Sequence, residues 1–421
     1  MNLTKKISLR SLDWMFDLSL CIYLTGYILM TSMLAGSIVG RPLVGALMLS
    51  LALLLAREAL TFLFVERYRP QDYVFFVMCL FFSYIANRNF SGGMASMFFL
   101  VFGARNMQPK RVFELSLAVV TIVVFGIYVL SIRGILENHV YISTDSGRDR
   151  FCYGFLYCLH FPMYLRNITF LIILLRRERL SWAGIALLAL LNTWAYRECE
   201  GDLVFGTAML VLLLAALMKR FPQLLTSEEK LPGGIRKFCT WILALACPIF
   251  SVLGVLTAAV FDKSSHWQAR LDSLIGHRLS LGHGSLNQYG VSLLGKEINW
   301  LGAGLGSDGL RGTGKYNYVD SMYVQVLQRY GLLMFLLLML IMTLAMVIAA
   351  WRKDYWLLLL LAASAGHAFF DDLVFYVYFN TSLLAVGMLI GSTDLKEFFT
   401  GFTAGKRKGL PPAGTPEEKP R

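Results

Sequence analysis

The chain has 421 residues, of which 57% are hydrophobic and only 16% charged, against roughly 25% charged in an ordinary soluble domain. That excludes a soluble globular domain: apolar runs of about 20 residues, each long enough to cross roughly 30 Å of hydrocarbon as a helix, recur from end to end. The net charge of +12 is spread over short loops between those runs, which excludes a nucleic-acid partner and marks the cations as topology determinants.

Backbone inside lipid must satisfy its own hydrogen bonds, so the predicted fold is all-α, a polytopic membrane bundle of about twelve transmembrane helices. Lys5, Lys6 and Arg10 precede an apolar run from Phe16 that is too long for a signal-peptide core and reads as an uncleaved first span. Spans are predicted near 16–36, 42–65, 72–87, 92–105, 112–133, 151–175, 180–196, 202–218, 238–260, 321–350, 356–371 and 376–392. With the N-terminus inside, every inner connection is basic: Arg67 and Arg69; Arg105, Lys110 and Arg111; Arg176, Arg177 and Arg179; Lys219 to Lys237; Arg352 and Lys353; Lys406 to Lys408. The positive-inside rule then puts both termini on the cytoplasmic side of an inner membrane.

The predicted organisation is a membrane bundle over 1–261, a large extracytoplasmic loop over 262–319 between the ninth and tenth spans, a second membrane part over 320–395, and a disordered cytoplasmic tail over 396–421. Seven cysteines are scattered without CxxC or CxxH spacing, so neither a metal site nor a disulfide framework is expected. No repeat at fixed period marks an inverted-repeat transporter.

Loops longer than about 15 residues are usually functional or disordered, and 262–319 lacks the composition of disorder. It carries Trp267, Tyr289, Trp300, Tyr316 and Tyr318 interleaved with Arg270, His277, Arg278, His283 and Arg311. Aromatic rings pack on sugar faces and arginine forks a phosphate, so a partner with both fits; an interfacial belt with arginines on lipid headgroups fits the same composition. Gly302, Gly304 and Gly306 form GxGxG with no strand before them, which predicts a flexible turn rather than a dinucleotide loop.

Charge at span ends is costly and usually faces a cavity. Asp320 opens a span, with Tyr323 one turn on and Arg329 further down; His367 and Asp371 stand four apart on one helix face, followed by Asp372. Arg148, Arg150 and Arg197 complete an outer-facing set, while Arg57 and Glu58 form a deeper pair.

These features resemble the bacterial O-antigen polymerase and ligase superfamily, most closely the capsular or exopolysaccharide repeat-unit polymerases (Wzy type). The resemblance rests on the late outer loop, the turn Gly276-His277-Arg278, LLGKEINWLGAGLG (293–306), YNYVDSMY (316–323) closed by RYG (329–331), GHAFFDDLVFYVYFN (366–380) and RFCYGF (150–155). The chain departs from the pattern after the seventh span, where RECEGD (197–202) replaces a Ser-Arg pair. The resemblance implies transfer of a growing glycan from undecaprenyl diphosphate to the next lipid-linked repeat unit at the outer membrane face. It implies no cofactor and no metal, and a flippase and a chain-length regulator as companions.

Under that reading Arg278 clamps the departing diphosphate, with Arg150 and Arg270 as further candidates. His277, His367, Asp320 and Asp371 are the candidate bases, Asp320 and His367 being favoured to orient or activate the acceptor. Trp267, Tyr323 and Arg329 join Arg150 and Arg270 as candidate substrate-binding residues. Transfer to another acceptor by a ligase, transport of lipid-linked glycan, and a non-catalytic scaffold are the alternatives.

Overall fold

A computed structural model describes residues 9–403 apart from 37–39, 65–67, 90–93, 144–145, 222–232, 307–309, 311–313 and 315. Arg67, Lys230, Arg311 and the predicted tail beyond 403 lie outside the described residues. Those described are mostly α-helical. Helices α1 (Asp13–Met30), α2 (Gly40–Phe64), α3 (Pro70–Asn89), α4 (Met94–Gly103) and α5 (Pro109–Ile132) come first. A small antiparallel ribbon follows, β1 (Val140–Ile142) with β2 (Asp149–Phe151), Tyr141 opposite Arg150.

Next come α6 (His160–Arg176), α7 (Trp182–Cys199) and α8 (Asp202–Arg220), then α9 (Gly233–Ala244) and α10 (Ala246–Ala259), which meet at a 58° bend. The predicted outer loop holds two helices, α11 (His266–Leu274) and α12 (Arg278–Tyr289). After it, α13 (Met322–Gln325) passes through a π turn (Val326–Tyr330) into α14 (Gly331–Trp351), followed by α15 (Tyr355–His367), α16 (Leu384–Ser392) and α17 (Leu395–Thr403).

Among the described residues four helical stretches are long and apolar enough to cross a membrane, α2, α5, α8 and Met322–Trp351, and the α9–α10 pair is a fifth when its two bent halves are taken as one span. Tyr355–His367 and Thr381–Ser392 are apolar but shorter. On several helices large apolar side chains such as Ile122, Leu190, Leu336 and Leu340 are exposed while the opposite face is buried, the pattern of a surface solvated by acyl chains.

The last predicted span is only half helical. Residues 368–383 run through turns and two 3₁₀ segments before α16 begins. Such backbone is tolerated at depth when protein groups satisfy it, and here they do. Asp371 Oδ1 accepts the Leu373 N–H (2.8 Å), Asn380 Nδ2 donates to Val374 O (3.1 Å), and Asn167 Oδ1 accepts the Thr381 N–H (3.0 Å).

Arg57 and Glu58 belong to a buried ionic network that joins α2 to the start of α1, the start of α3 and the turn at the end of α4. Glu58 binds Arg57 at 2.9 Å and Arg105 at 2.6 Å, while Asp13 lies 3.7 Å from Arg57 and Asp72 3.6 Å from Arg105. The deeper pair of the sequence is thus a neutralised structural knot. Next to it, Gln71 Nε2 donates to Ile390 O (2.9 Å) and Thr393 O (2.7 Å), and Arg69 donates to Gly391 O, so side chains from the start of α3 cap the C-terminal carbonyls of α16. Helix α16 packs against α4 backbone to backbone: a Cβ on Gly387 would collide with Val101 O, and one on Gly391 with Arg105.

Candidate active site

The turn Gly276-His277-Arg278 is built to aim one arginine. Gly276 (φ +67°) and His277 (φ +61°) both take left-handed backbone, after which α12 begins at Arg278. Glycine suits the left-handed backbone at 276, and a side chain there would come within 2.7 Å of the Arg278 guanidinium and push it from its place. Asp272, buried at the end of α11, accepts the N–H groups of Leu279 (2.8 Å) and Ser280 (3.0 Å) and so caps α12. His277 lies 3.4 Å from the same carboxylate and is largely exposed.

Arg278 is held by two carbonyls, Nε donating to Phe370 O and Nη1 to Ile275 O, each at 2.7 Å. Its remaining nitrogen, Nη2, faces Asp320 Oδ2 at 3.5 Å. The pair joins α12 to the start of α13 and, through Phe370, to the broken segment after α15. Burial pushes the Asp320 carboxyl up to about 6; Arg278 opposes that shift and Asp371 adds to it.

His367 and Asp371 enter from the same broken segment, His367 Nε2 lying 3.6 Å from Asp371 Oδ2. The adjacent Asp372 accepts a 2.7 Å hydrogen bond from the Tyr318 hydroxyl. Arg278, Asp320, His367 and Asp371 therefore form one electrostatic cluster with Asp372, Tyr316 and Tyr318. Among the described residues no group of three or more His, Cys, Asp and Glu is placed to hold a metal ion.

Other residues predicted from sequence have different surroundings. Arg150 caps α7, Nε donating to Cys199 O (3.1 Å), with Glu200 3.9 Å away; Arg148 donates to Arg197 O. The RECEGD loop is thus a dock for β2. Tyr323 is buried, its hydroxyl donating to Ala365 O (2.8 Å). Arg329 is buried under Trp300, 4.5 Å from the ring, and donates to Ile298 O (3.1 Å).

The RYG motif has a backbone role. At Gly331 (φ +87°) and Gly295 (φ +72°) the loop and the π turn touch main chain to main chain, leaving no room for a Cβ on either. Asn89 Nδ2 donates across the contact to Leu294 O (2.7 Å) and Arg329 O (2.9 Å). Trp267 and Arg270 are exposed on α11. The GxGxG stretch is a packed segment rather than a flexible turn. Gly302 lies against Tyr318 and Gly304 against Tyr157, and Leu305 donates its N–H to Leu156 O (2.9 Å).

Two residues escaped the sequence reading. Arg166, on α6, is completely buried; it donates to Ser364 Oγ (3.3 Å), stacks over Phe170 at 4.5 Å, leaves Nε without a hydrogen bond, and faces His367 and Asp371 electrostatically. Its signal was legible as a lone cation in the apolar run 161–175. Thr207, on α8, contacts His367 Nδ1 at 2.8 Å; nothing in its local sequence distinguishes it from other helical threonines. An apolar pocket between α3, α4, α14 and α15 is lined by Phe98, Tyr323, Met342, Ser364, Ala365 and Asn380; Ser364 is also the side chain that accepts from Arg166.

Compared with known family models, curated proteins and solved structures, the chain matches none. The functional reading therefore rests on the site itself.

Proposed function

We propose that this chain is a glycosyltransferase of the outer face of a bacterial cytoplasmic membrane, joining oligosaccharide repeat units carried on undecaprenyl diphosphate into a capsular, exopolysaccharide or O-antigen polymer. The proposal includes about twelve passes through the membrane with both termini inside, as the basic inner connections require. The observation that carries it is the Arg278–Asp320 pair, 3.5 Å apart, a cation and a carboxylate brought together from two separate parts of the chain.

The chemistry follows from those two groups. The acceptor sugar hydroxyl forms a new bond to the donor's anomeric carbon as the bond from that carbon to the diphosphate oxygen breaks. The diphosphate leaves with both bonding electrons, and the Arg278 guanidinium stabilises its charge. The hydroxyl proton passes to the Asp320 carboxylate. The donor's own diphosphate supplies the activation, so neither residue has to form a covalent intermediate. The apolar pocket that includes Ser364, the partner of Arg166, offers an apolar surface for part of the substrate's hydrocarbon chain to lie against. A ligase would use the same leaving-group chemistry with a different acceptor.

The test is Arg278→Ala in cells lacking their own copy, with membrane abundance confirmed. Loss of polymer with single lipid-linked units accumulating on the outer face is the expected result. Normal polymer removes Arg278 from the mechanism, and units trapped on the inner face turn the reading toward a transporter.

A further inference from the structure

Thr207 stands on α8, outside every motif that the sequence singles out, yet it touches the site. Its Oγ1 lies 2.8 Å from His367 Nδ1 and 2.8 Å from Leu203 O, one turn back on its own helix. A threonine hydroxyl has one hydrogen to donate and lone pairs to accept with. A carbonyl only accepts, so the Thr207 hydrogen goes to Leu203 O, and the second contact is a hydrogen bond only if Nδ1 carries the ring proton. If Thr207 donated to Nδ1 instead, two oxygen acceptors 2.8 Å apart would face each other with no hydrogen between them.

On the other side of the ring the situation is reversed. Nε2 is buried, has no hydrogen bond, and lies 3.6 Å from Asp371 Oδ2, too far for one. Asp371 is itself held in place, its other oxygen accepting the Leu373 N–H at 2.8 Å. The charged and titratable groups that face the His367–Asp371 pair are Arg166 and His160 from α6, Arg278 from α12, and Asp320, Asp372 and Tyr316 from the segments around it.

We infer that Thr207 is a positioning residue: it holds His367 in the form protonated at Nδ1, so that Nε2 is the atom at which this site takes up and releases a proton beside Asp371. His367 is 2% exposed, and protein groups face both ring nitrogens. The inference stands on Thr207, Leu203, His367 and Asp371 alone and not on the polymerase reading.

Solid-state ¹⁵N NMR of the full chain in lipid bilayers, with labelled histidine, reads the two ring nitrogens directly. The chain has six histidines, and His367→Gln assigns the signals by difference. The expected wild-type spectrum at neutral pH has a protonated Nδ1 and a bare Nε2, and acidification converts only Nε2. Thr207→Ser keeps that spectrum, whereas in Thr207→Val a second form protonated at Nε2 gains population. A bare Nδ1 in the wild type, or a valine variant indistinguishable from it, overturns the inference. The wild-type and serine spectra decide the matter even if the valine variant fails to fold. Because no turnover is measured, failure of the polymerase reading leaves the result standing.

Discussion

Replacing Asp320 with asparagine should abolish polymer formation and at the same time make the protein more stable, two effects of opposite sign from one atom pair. Its carboxyl is raised from 3.8 to about 6, chiefly by burial, so the ionised form carries a net penalty in the folded state. About two pH units at ~1.36 kcal/mol each give an upper figure of about 3 kcal/mol. The side chain keeps 24% exposure, and screening by solvent reduces that to about 1–2 kcal/mol.

The sign follows from proton linkage. Between pH 3.8 and about 6 the folded chain binds more protons at this site than the unfolded chain, so stability falls as pH rises through that window and stays low above it. The assay is thermal unfolding in lipid nanodiscs at pH 5 and pH 7.5, paired with polymerisation by the same preparations. Wild type should lose stability between the two pH values by this contribution. Asp320→Asn should lose less, and at pH 7.5 should unfold at the higher temperature. Polymerisation by the wild type should rise through a limb near pH 6 as the base ionises. An asparagine variant that polymerises normally would remove Asp320 as the base, and one that is less stable than wild type at pH 7.5 would show that its charge is not a burden to the fold.

Glu58→Gln removes the carboxylate shared by Arg57 and Arg105 and leaves two buried guanidinium groups short of an anion; a loss of about 3–5 kcal/mol is expected, read as reduced membrane abundance and a lower unfolding temperature. Gly387→Ala drives a methyl into Val101 O and should cost at least ~1–3 kcal/mol, measured in the same way, while Gly126→Ala, with open space around it, is the neutral control. Asp272→Ala removes the cap of α12, worth about 0.5–2 kcal/mol. It should lower polymer yield at normal abundance by loosening Arg278, and unchanged yield would show that the cap does not matter to the site.

The helices were largely legible because apolar runs and charged breaks are written locally, and α1, α2, α3, α5 and α8 form where those signals place them. The segment from Ala368 to Leu383 was not, since its apolar composition suits a helix and its breaks depend on Asn167, some 200 positions away, accepting the Thr381 N–H. In the site, Arg278, Asp320, His367 and Asp371 could be named from charge near span ends, and the structure brings them together. Arg150, Tyr323 and Arg329 carry the same outward signals and are bound to backbone carbonyls, as Arg278 is; what sets Arg278 apart is that it also faces Asp320. Charge in a sequence marks a cost that something must offset, without saying whether a ligand or a carbonyl does so. Thr207 was invisible because its role depends on which of two 2.8 Å neighbours receives its single hydrogen.

The capping of α16 by Gln71, 319 positions upstream of Ile390, bears on how the chain is made. A ribosome delivers Gln71 and Arg69 early, long before the carbonyls they bind exist. Until α16 is inserted and captured, the broken stretch carrying Asp371 and Asp372 is held on its C-terminal side by the Asn167–Thr381 contact and not yet by the capped helix. The stretch that carries Asp371 and Asp372 is therefore the part of the site that leaves the ribosome last. A nascent chain stalled before residue 384 would hold Arg278 and Asp320 yet lack the helix that fixes their neighbours.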